Sequence, residues 1–259
     1  CNPHDMISHV NIVRDSLSSR PWASEIDIHI TDYGGPSNHI IPGWNVGWLY
    51  YAEQANLNWF THACWNENDG EVNWSDCQFG LNGLFMHDNV TPQPNYWVHR
   101  IYAALPGSRI LCTPLQEKTI ALAGKNDLTE EIIILTGRYD NPLLGEHNDN
   151  EYLNIVLNNY PYCNDCTKNI LIQRIPSNNV PYSIPLATPE TYFVGEITFD
   201  AGTTNLAFPD FVDGDAYIIY INATDSTVLE INASSNNDFL IYPNPSAGIV
   251  YLKFKNPEV

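Results

Sequence analysis

The chain has 259 residues and a formal net charge of −19, with 11 lysines and arginines against 30 acidic residues. This excess of negative charge repels phosphate backbones and anionic membrane surfaces, so nucleic-acid binding is not expected. Hydrophobic residues make up 44% of the sequence, which is enough for a substantial core. The sequence contains no run of about 18 apolar residues, so no transmembrane segment is predicted.

The N-terminal part alternates between helical and strand-like patterns. Apolar residues at helical spacing, or alternating with polar ones, predict five elements in the order helix, strand, helix, strand, helix: 4–18, 26–31, 46–56, 58–64 and 96–105. This order predicts a parallel sheet with helices outside it, which is an α/β architecture. We assign this part to residues 1–107.

The pattern changes near residue 108 to short β-rich runs separated by glycine, proline and asparagine. Six strands are predicted, at 119–123, 132–136, 152–157, 170–175, 192–199 and 216–221. No segment in this part has a helical pattern, so an antiparallel β-sandwich is expected over residues 108–224. A polar linker, 225–238, and a C-terminal strand–turn–strand segment, 239–259, follow.

The chain begins at Cys1, with no initiator methionine and no signal-peptide pattern. A lipidated mature protein, a processed N-terminus and a piece of a larger protein are all compatible with this start. We expect the third.

Six cysteines fit an oxidising compartment without requiring one. The Cys163–Cys166 pair is compatible with redox chemistry, a metal site or a small disulfide. We favour a loop-closing disulfide because no second ligand pair and no βαβ context accompany it. Cys64 and Cys77 flank an insertion and form a second candidate pair.

Polar and aromatic residues follow both predicted strands of the N-terminal part. Asp32 and Tyr33 end the first strand before a Gly-Gly-Pro break, and Trp65 and Glu67 follow the second. Because the C-terminal ends of parallel strands meet at one edge, the sequence predicts a candidate active site there.

The C-terminal segment resembles the start of a known sorting domain. Its motif is followed by an alternating strand, 249–254, and consists of Tyr242, Pro243, Asn244, Pro245 and Gly248. This is similar to the opening of a type IX secretion sorting domain. The resemblance implies export across the outer membrane of a bacterium of the Bacteroidota type, and thus a secreted or cell-surface protein that meets the type IX secretion machinery.

The rest of the chain resembles the C-terminal half of a retaining glycoside hydrolase with a (β/α)8 barrel and an appended β-sandwich. Four segments carry this resemblance to enzymes of the β-xylosidase, arabinofuranosidase and agarase types: 30–33, 63–65, 80–104 and 213–219. On this resemblance the two predicted N-terminal strands are the seventh and eighth of the barrel. Six further strands would precede Cys1.

The resemblance implies a catalytic role for Asp32. Retaining hydrolysis uses two carboxylates about 5 Å apart, a nucleophile and an acid/base. In these families the nucleophile ends strand seven, commonly as Thr-Glu-Trp, whereas this chain has Thr31-Asp32-Tyr33. Aspartate is one methylene shorter, which sets its carboxylate back by roughly 1.5 Å. The acid/base of these families ends strand four, which this sequence does not contain.

The other residues at this edge each have two interpretations. Asp32 is also typical of an Asx turn that caps a loop. Tyr33 either hydrogen-bonds the Asp32 carboxylate or packs. Trp65 either stacks on a sugar ring or lies in the core, and Glu67 either contacts substrate or is a solvated acid.

Trp44, just before the second predicted helix, is assigned to a loop mouth in reach of a glycan, and Trp48, one helical turn later, to the interior. A structural Ca²⁺ is a minority prediction, because the candidate carboxylates lack EF-hand spacing: Asp140, Asp149, Asp165, Asp213 and Asp215. No other cofactor is expected.

Together these features predict a fragment of a secreted glycoside hydrolase that acts on a plant or algal polysaccharide, inactive by itself. A non-catalytic glycan-binding protein on the same scaffold is the main alternative. An extracellular adhesin, known only by its sorting signal, is the second.

Overall fold

The computed structural model divides into two units, 1–228 and 229–259. All the residues that it describes lie in the first unit: 2–23, 26–30, 33, 41–57, 59–61, 84–86, 88, 90–116, 118–140, 152–177, 185–200, 202–208 and 211–222. No helix in these ranges is long and apolar enough to cross a membrane.

The described residues include the three predicted α-helices: α1 Asp5–Leu17, α2 Pro42–Gln54 and α3 Pro94–Ala104. Helices α2 and α3 begin two to four residues earlier than the predicted starts, each at a proline. Proline has no backbone N–H and fixes φ near the helical value, so it is well tolerated in the first turn.

The two short strands of the N-terminal part, β1 (His29–Ile30) and β2 (Trp59–Phe60), pair in parallel. His29 lies opposite Trp59, and the Thr61 N–H extends the pairing by donating to the Ile30 carbonyl at 2.9 Å. Helix α2 lies between the two strands in sequence, as expected for a parallel connection. The described strands lie within the predicted ranges 26–31 and 58–64.

Eight further strands follow in the part of the chain that the structure describes: β3 Ser108–Ile110, β4 Thr119–Asn126, β5 Glu131–Arg138, β6 Leu153–Asn158, β7 Cys166–Ile175, β8 Glu190–Phe199, β9 Thr203–Phe208 and β10 Ala216–Ile221. Six of them form one antiparallel sheet in the order β3-β4-β5-β10-β7-β8, and β6 pairs with β9 separately. All six predicted strands are present, whereas β3 and β9 were not predicted.

The six-stranded sheet is covered on both faces at its centre. One face of β5 and β10 belongs to a cluster that includes Ile132, Ile134 and Ile219, and the β6–β9 pair packs onto this cluster through Ile155 and Leu206. The opposite face of β5 packs against α2 and α3. Because both faces are buried, every residue of β5 and β10 is buried.

Helix α2 contacts the sheet through backbone atoms. The Gly43 N–H donates to the Gly214 carbonyl at 2.7 Å. A Cβ added at Gly43 would lie 2.7 Å from the Asp215 carbonyl oxygen and closer still to that of Arg138, and a Cβ at Gly137 would lie 2.8 Å from the Gly43 Cα. Neither position has room for a side chain, so the helix and the sheet pack at the minimum distance.

Candidate functional site

The candidate site lies where β1 ends. Of the residues predicted at this edge, Tyr33 is the one that the structure describes. The Tyr33 side chain is buried, with 5% of its surface exposed. Its ring packs against Phe60 of β2 and Trp48 of α2, at centroid separations of 5.3 and 5.8 Å. Tyr33 therefore joins the parallel strand pair to the helix layer.

A hydrogen-bonded chain connects Tyr33 to helix α3. The Tyr33 hydroxyl lies 2.8 Å from Nε2 of His99, and Nδ1 of His99 lies 3.0 Å from the Asn95 carbonyl oxygen. A carbonyl oxygen only accepts hydrogen bonds, so we assign the ring proton to Nδ1. Burial lowers the pKa of His99, which favours the neutral ring with Nε2 as an acceptor.

The Tyr33 hydroxyl therefore donates to His99 and keeps its proton, since burial raises the pKa of Tyr33. The described contacts of Tyr33 are its packing against Phe60 and Trp48 and its hydrogen bond to His99. The other predicted role, a hydrogen bond to the Asp32 carboxylate, involves a residue outside the described ones. His99 was not predicted as a site residue. The only signal in the sequence is that His99 lies one helical turn after Asn95, whose carbonyl oxygen it contacts.

The structure corrects the predicted position of Trp44. Helix α2 starts at Pro42, so Trp44 lies in its first turn instead of at a loop mouth. The side chain is 1% exposed and meets the Tyr139 ring edge-on at 6.1 Å. A side chain so completely buried cannot contact a glycan, and Trp44 is a core residue. Trp48 is 6% exposed, in agreement with its predicted burial.

The remaining predicted site residues lie outside the described residues. They are Asp32, Trp65 and Glu67 of the candidate active site, the candidate disulfide pair Cys64 and Cys77, and the sorting motif Tyr242, Pro243, Asn244, Pro245 and Gly248.

Three of the carboxylates considered for calcium are instead paired with cations. The pairs are Asp140 with Lys118 at 2.7 Å, Asp213 with Arg138 at 2.7 Å and Asp215 with Arg174 at 2.5 Å. Asp215 also accepts from the Ser177 N–H at 2.5 Å. Within the described ranges, no group of three His, Cys, Asp or Glu side chains is arranged to hold a metal ion. Asp149 lies outside these ranges.

The Cys163–Cys166 pair forms a disulfide, with a Cα–Cα distance of 6.0 Å, at the start of β7. It closes a short loop that precedes a core strand. Cys112 is the free cysteine of the described residues, and burial raises the pKa of its thiol to about 11. Neither feature lies at the candidate site.

Comparison with solved structures identifies the fold. The chain is similar to N2152 from Neocallimastix frontalis (14% identity, TM-score 0.63), covering 86% of this chain and 51% of that one. It is also similar to a glucosidase from Croceicoccus marinus (12% identity, TM-score 0.62), covering 86% and 51%. A third similar structure is the GH39 enzyme from Xanthomonas axonopodis pv. citri (11% identity, TM-score 0.59), covering 85% and 49%.

No protein-family model and no curated protein matches the sequence. The chain spans about half the length of the solved structures it matches. The described residues thus have a glycosidase-like fold with an antiparallel sheet. At 14% identity or less, the comparison defines the fold and leaves the activity to be argued from the site.

Proposed function

We propose that this chain is part of a glycoside hydrolase that acts by a two-carboxylate mechanism, with Asp32 at the nucleophile position. The observation that carries this proposal is the parallel β1–β2 pair, within a glycosidase-like fold, with Tyr33 buried just past the end of β1. In α/β barrels the catalytic side chains come from the C-terminal ends of the strands.

The placement of Tyr33 supports this assignment for Asp32. Tyr33 points toward the helix layer, where it contacts Trp48 and His99. The proposal assigns the neighbouring Asp32 carboxylate to the barrel interior, where substrate binds in this fold.

In the proposed mechanism the Asp32 carboxylate attacks the anomeric carbon while the glycosidic bond breaks and the acid/base protonates the departing oxygen. Water, deprotonated by the same acid/base, then displaces Asp32 from the glycosyl-enzyme. The acid/base comes from a part of the polypeptide outside residues 1–259, so this chain alone is expected to be inactive. Trp65 and Glu67 are proposed to line the substrate site beyond β2. The shorter aspartate reduces the rate, since a displacement of about 1 Å can lower it about a hundredfold.

We also propose a secreted or cell-surface location, reached through type IX secretion, and a plant or algal polysaccharide as substrate. The Tyr242–Gly248 motif supports the export route. The Cys163–Cys166 disulfide is consistent with an oxidising compartment. With only 11 lysine and arginine residues against 30 acidic ones, the chain suits a neutral substrate better than an anionic one.

Trapping with a 2-fluoro glycoside in the full-length protein tests the role of Asp32. The expected result is a covalent adduct on Asp32 by peptide mass spectrometry, and its loss in Asp32→Ala. Asp32→Glu restores the missing methylene and is expected to raise kcat by about tenfold or more, because the carboxylate moves closer to the anomeric carbon. Asp15→Asn, which removes an exposed carboxylate on helix α1, serves as a control that keeps the adduct. An adduct on another carboxylate, with activity intact in Asp32→Ala, would overturn the assignment.

The alternative is a non-catalytic glycan-binding protein on the same scaffold. One observation favours this alternative. Residue 32 is an aspartate, whereas the families that the chain resembles have a glutamate at this position. Under this alternative no adduct forms and no hydrolysis is detected, while polysaccharide binding in affinity electrophoresis persists in both wild type and Asp32→Ala.

A further inference from the structure

A β-bulge brings two consecutive aromatic residues together on β8, the strand that ends the described order of the six-stranded sheet. Phe193 lies opposite Ile172 of β7. The next pairing along the strands joins Thr191 to Gln173, so Tyr192 is the extra residue of the bulge. Side chains of a regular strand alternate between the two faces of a sheet, whereas a bulge changes the direction of a side chain.

The contacts of the two aromatic residues show that both point to the same face. Phe193 shares its face with Ile172, which belongs to the buried cluster beneath the β6–β9 pair. The Tyr192 ring meets Tyr217, another member of that cluster, edge-on at 5.7 Å. Tyr192 and Phe193 are still 37% and 45% exposed. We call these two residues the aromatic patch, since together they form an exposed aromatic surface at the margin of the cluster.

The Phe193 ring lies along β8 instead of standing away from the sheet. A Cβ added at Gly195, two residues further along the strand, would lie 2.5 Å from Cζ and 2.8 Å from Cε1 of Phe193. The far end of the ring therefore covers the glycine, which has no side chain to displace it. A ring in this position turns one face to the sheet and the other to solvent. An outward aromatic face is the surface on which the apolar side of a sugar ring stacks.

A charged pair lies beside the aromatic patch. Arg174 of β7 is in register with Glu190, two residues along β7 from the position opposite Phe193, a spacing of roughly 7 Å. The Arg174 Nε donates to the buried Asp215 carboxylate at 2.5 Å, which holds the guanidinium in place. Its Nη1 lies 3.9 Å from Oε2 of Glu190, which is too far for a hydrogen bond. A sugar hydroxyl can accept from the first group and donate to the second.

We propose that the aromatic patch, Arg174 and Glu190 form a surface binding site for an uncharged polysaccharide, outside the candidate site at the end of β1. One sugar ring stacks on Phe193, and hydroxyl groups of the same chain bind Arg174 and Glu190. The site keeps the protein on the polymer and so raises the effective concentration of glycan at the active site. The choice of a glycan rests on the proposed function, whereas binding at this site requires no hydrolysis.

The charges around the aromatic patch favour an uncharged ligand. Asp215 and Glu190 both lie beside the Arg174 guanidinium and offset its positive charge. An anionic glycan or a phosphate is disfavoured by this balance and by the net charge of −19, whereas sugar hydroxyls bind groups of either sign. The acidic residues Glu190 and Glu196 on β8 also disfavour pairing with the same strand of a second copy, because charged side chains protect strand edges.

Affinity electrophoresis of the full-length protein tests this proposal, with laminarin, arabinoxylan and xyloglucan as uncharged polymers and alginate as the anionic comparison. Wild type is expected to bind at least one uncharged polymer. Phe193→Ala is expected to weaken that binding by about tenfold, because it removes the stacking surface. Phe193→Leu keeps an apolar cover over Gly195 without a flat ring and is expected to weaken binding by a similar factor. Phe193→Trp is expected to retain it.

Val194→Ala is the matched control, because Val194 is the next residue along β8, is 70% exposed and points to the other face. It is expected to bind as wild type does. Hydrogen exchange locates the contact: adding the bound polymer is expected to slow amide exchange in 190–195 by about twofold or more and to leave the central strand 131–138 unchanged. Equal urea midpoints for Phe193→Leu and wild type exclude misfolding as the cause of weaker binding.

Three results would overturn the proposal: wild type that binds none of the uncharged polymers or alginate alone, binding that Phe193→Leu leaves intact, and equal weakening by Val194→Ala. Protection of 190–195 that rises with protein concentration, without any polymer, would identify a second copy as the occupant instead. Binding that depends on residue 193 in a protein without detectable hydrolysis supports this site and counts against the proposed function. Hydrolysis with binding that does not depend on residue 193 counts against this site alone.

Discussion

Gly43→Ala tests the close packing of helix α2 on the sheet. A new Cβ would lie 2.7 Å from the Asp215 carbonyl oxygen and closer to that of Arg138. Carbon–oxygen contacts are normally no shorter than about 3.3 Å, so the helix must move away by about 0.6 Å or more. Both obstacles are backbone atoms of the sheet end, which cannot rotate aside as a side chain can.

Three effects set the magnitude of the change in the free energy of unfolding. Overpacking destabilises by about 1–3 kcal/mol. Weakening the bond from the Gly43 N–H to the Gly214 carbonyl removes up to about 1 kcal/mol. Replacing glycine by alanine within a helix returns about 0.5–1 kcal/mol. The net destabilisation is about 2 kcal/mol, which corresponds to a fall in Tm of roughly 4–8 °C for a unit of this size.

Urea unfolding followed by tryptophan fluorescence, together with a thermal scan, measures this effect. Gly107→Ala is the matched control, because a Cβ at Gly107 meets no atom within 4 Å. It is expected to change stability by less than about 0.5 kcal/mol. If Gly43→Ala proves as stable as Gly107→Ala, the close contact between α2 and the sheet is refuted.

Three further predictions concern the interior. Arg138→Met leaves the buried Asp213 carboxylate without its cation and is expected to lower the free energy of unfolding by about 3–5 kcal/mol. Lys125→Met breaks the more exposed pair with Asp127 and is expected to lower it by less than about 1 kcal/mol. Equal urea midpoints for the two variants would contradict this. Cys163→Ser opens a four-residue disulfide loop and is expected to lower stability by about 2 kcal/mol, an effect that a reductant should reproduce in the wild type but not in the variant. Burial lowers the pKa of His99, so its contribution to stability is complete above about pH 6.5 and is lost as the pH falls below that value. His99→Gln should therefore flatten the decline in unfolding free energy between neutral and mildly acidic pH, and an unchanged slope would refute the neutral-histidine assignment.

The sequence was most informative where burial is continuous. Residues 132–135 and 216–221 are apolar runs, and the structure places them in β5 and β10, at the centre of the sheet. Strands β3 and β9 were not predicted. Strand β3 is three residues long and mostly exposed, and β9 begins with two threonines and an asparagine. Such segments form strands because they pair with a neighbouring strand. The sequence of the segment itself does not indicate which strand that is.

The start of α2 shows where the prediction at the candidate site was wrong. The helix was predicted to begin at residue 46, which left Trp44 at a loop mouth, and a Pro-Gly pair such as Pro42-Gly43 is typical of turns. The structure shows that the proline opens the helix and that the glycine is required by contact with the sheet. Spacing along one chain does not report such a contact, because Gly137 is 94 positions away. The link between Tyr33 and His99 was missed for the same reason.

The backbone contact between Gly43 and Gly137 also limits how this protein can be divided or recombined. Residues 108–222 expressed alone would uncover the face of β5 that α2 protects, including Ile133 and Leu135, and would present an aggregation-prone surface to solvent. Transplanting the sheet onto another helical layer would require a helix with glycine at the same point of approach. The strand-bearing half and the helix bearing Trp48 are therefore expected to be inherited together and to diverge together.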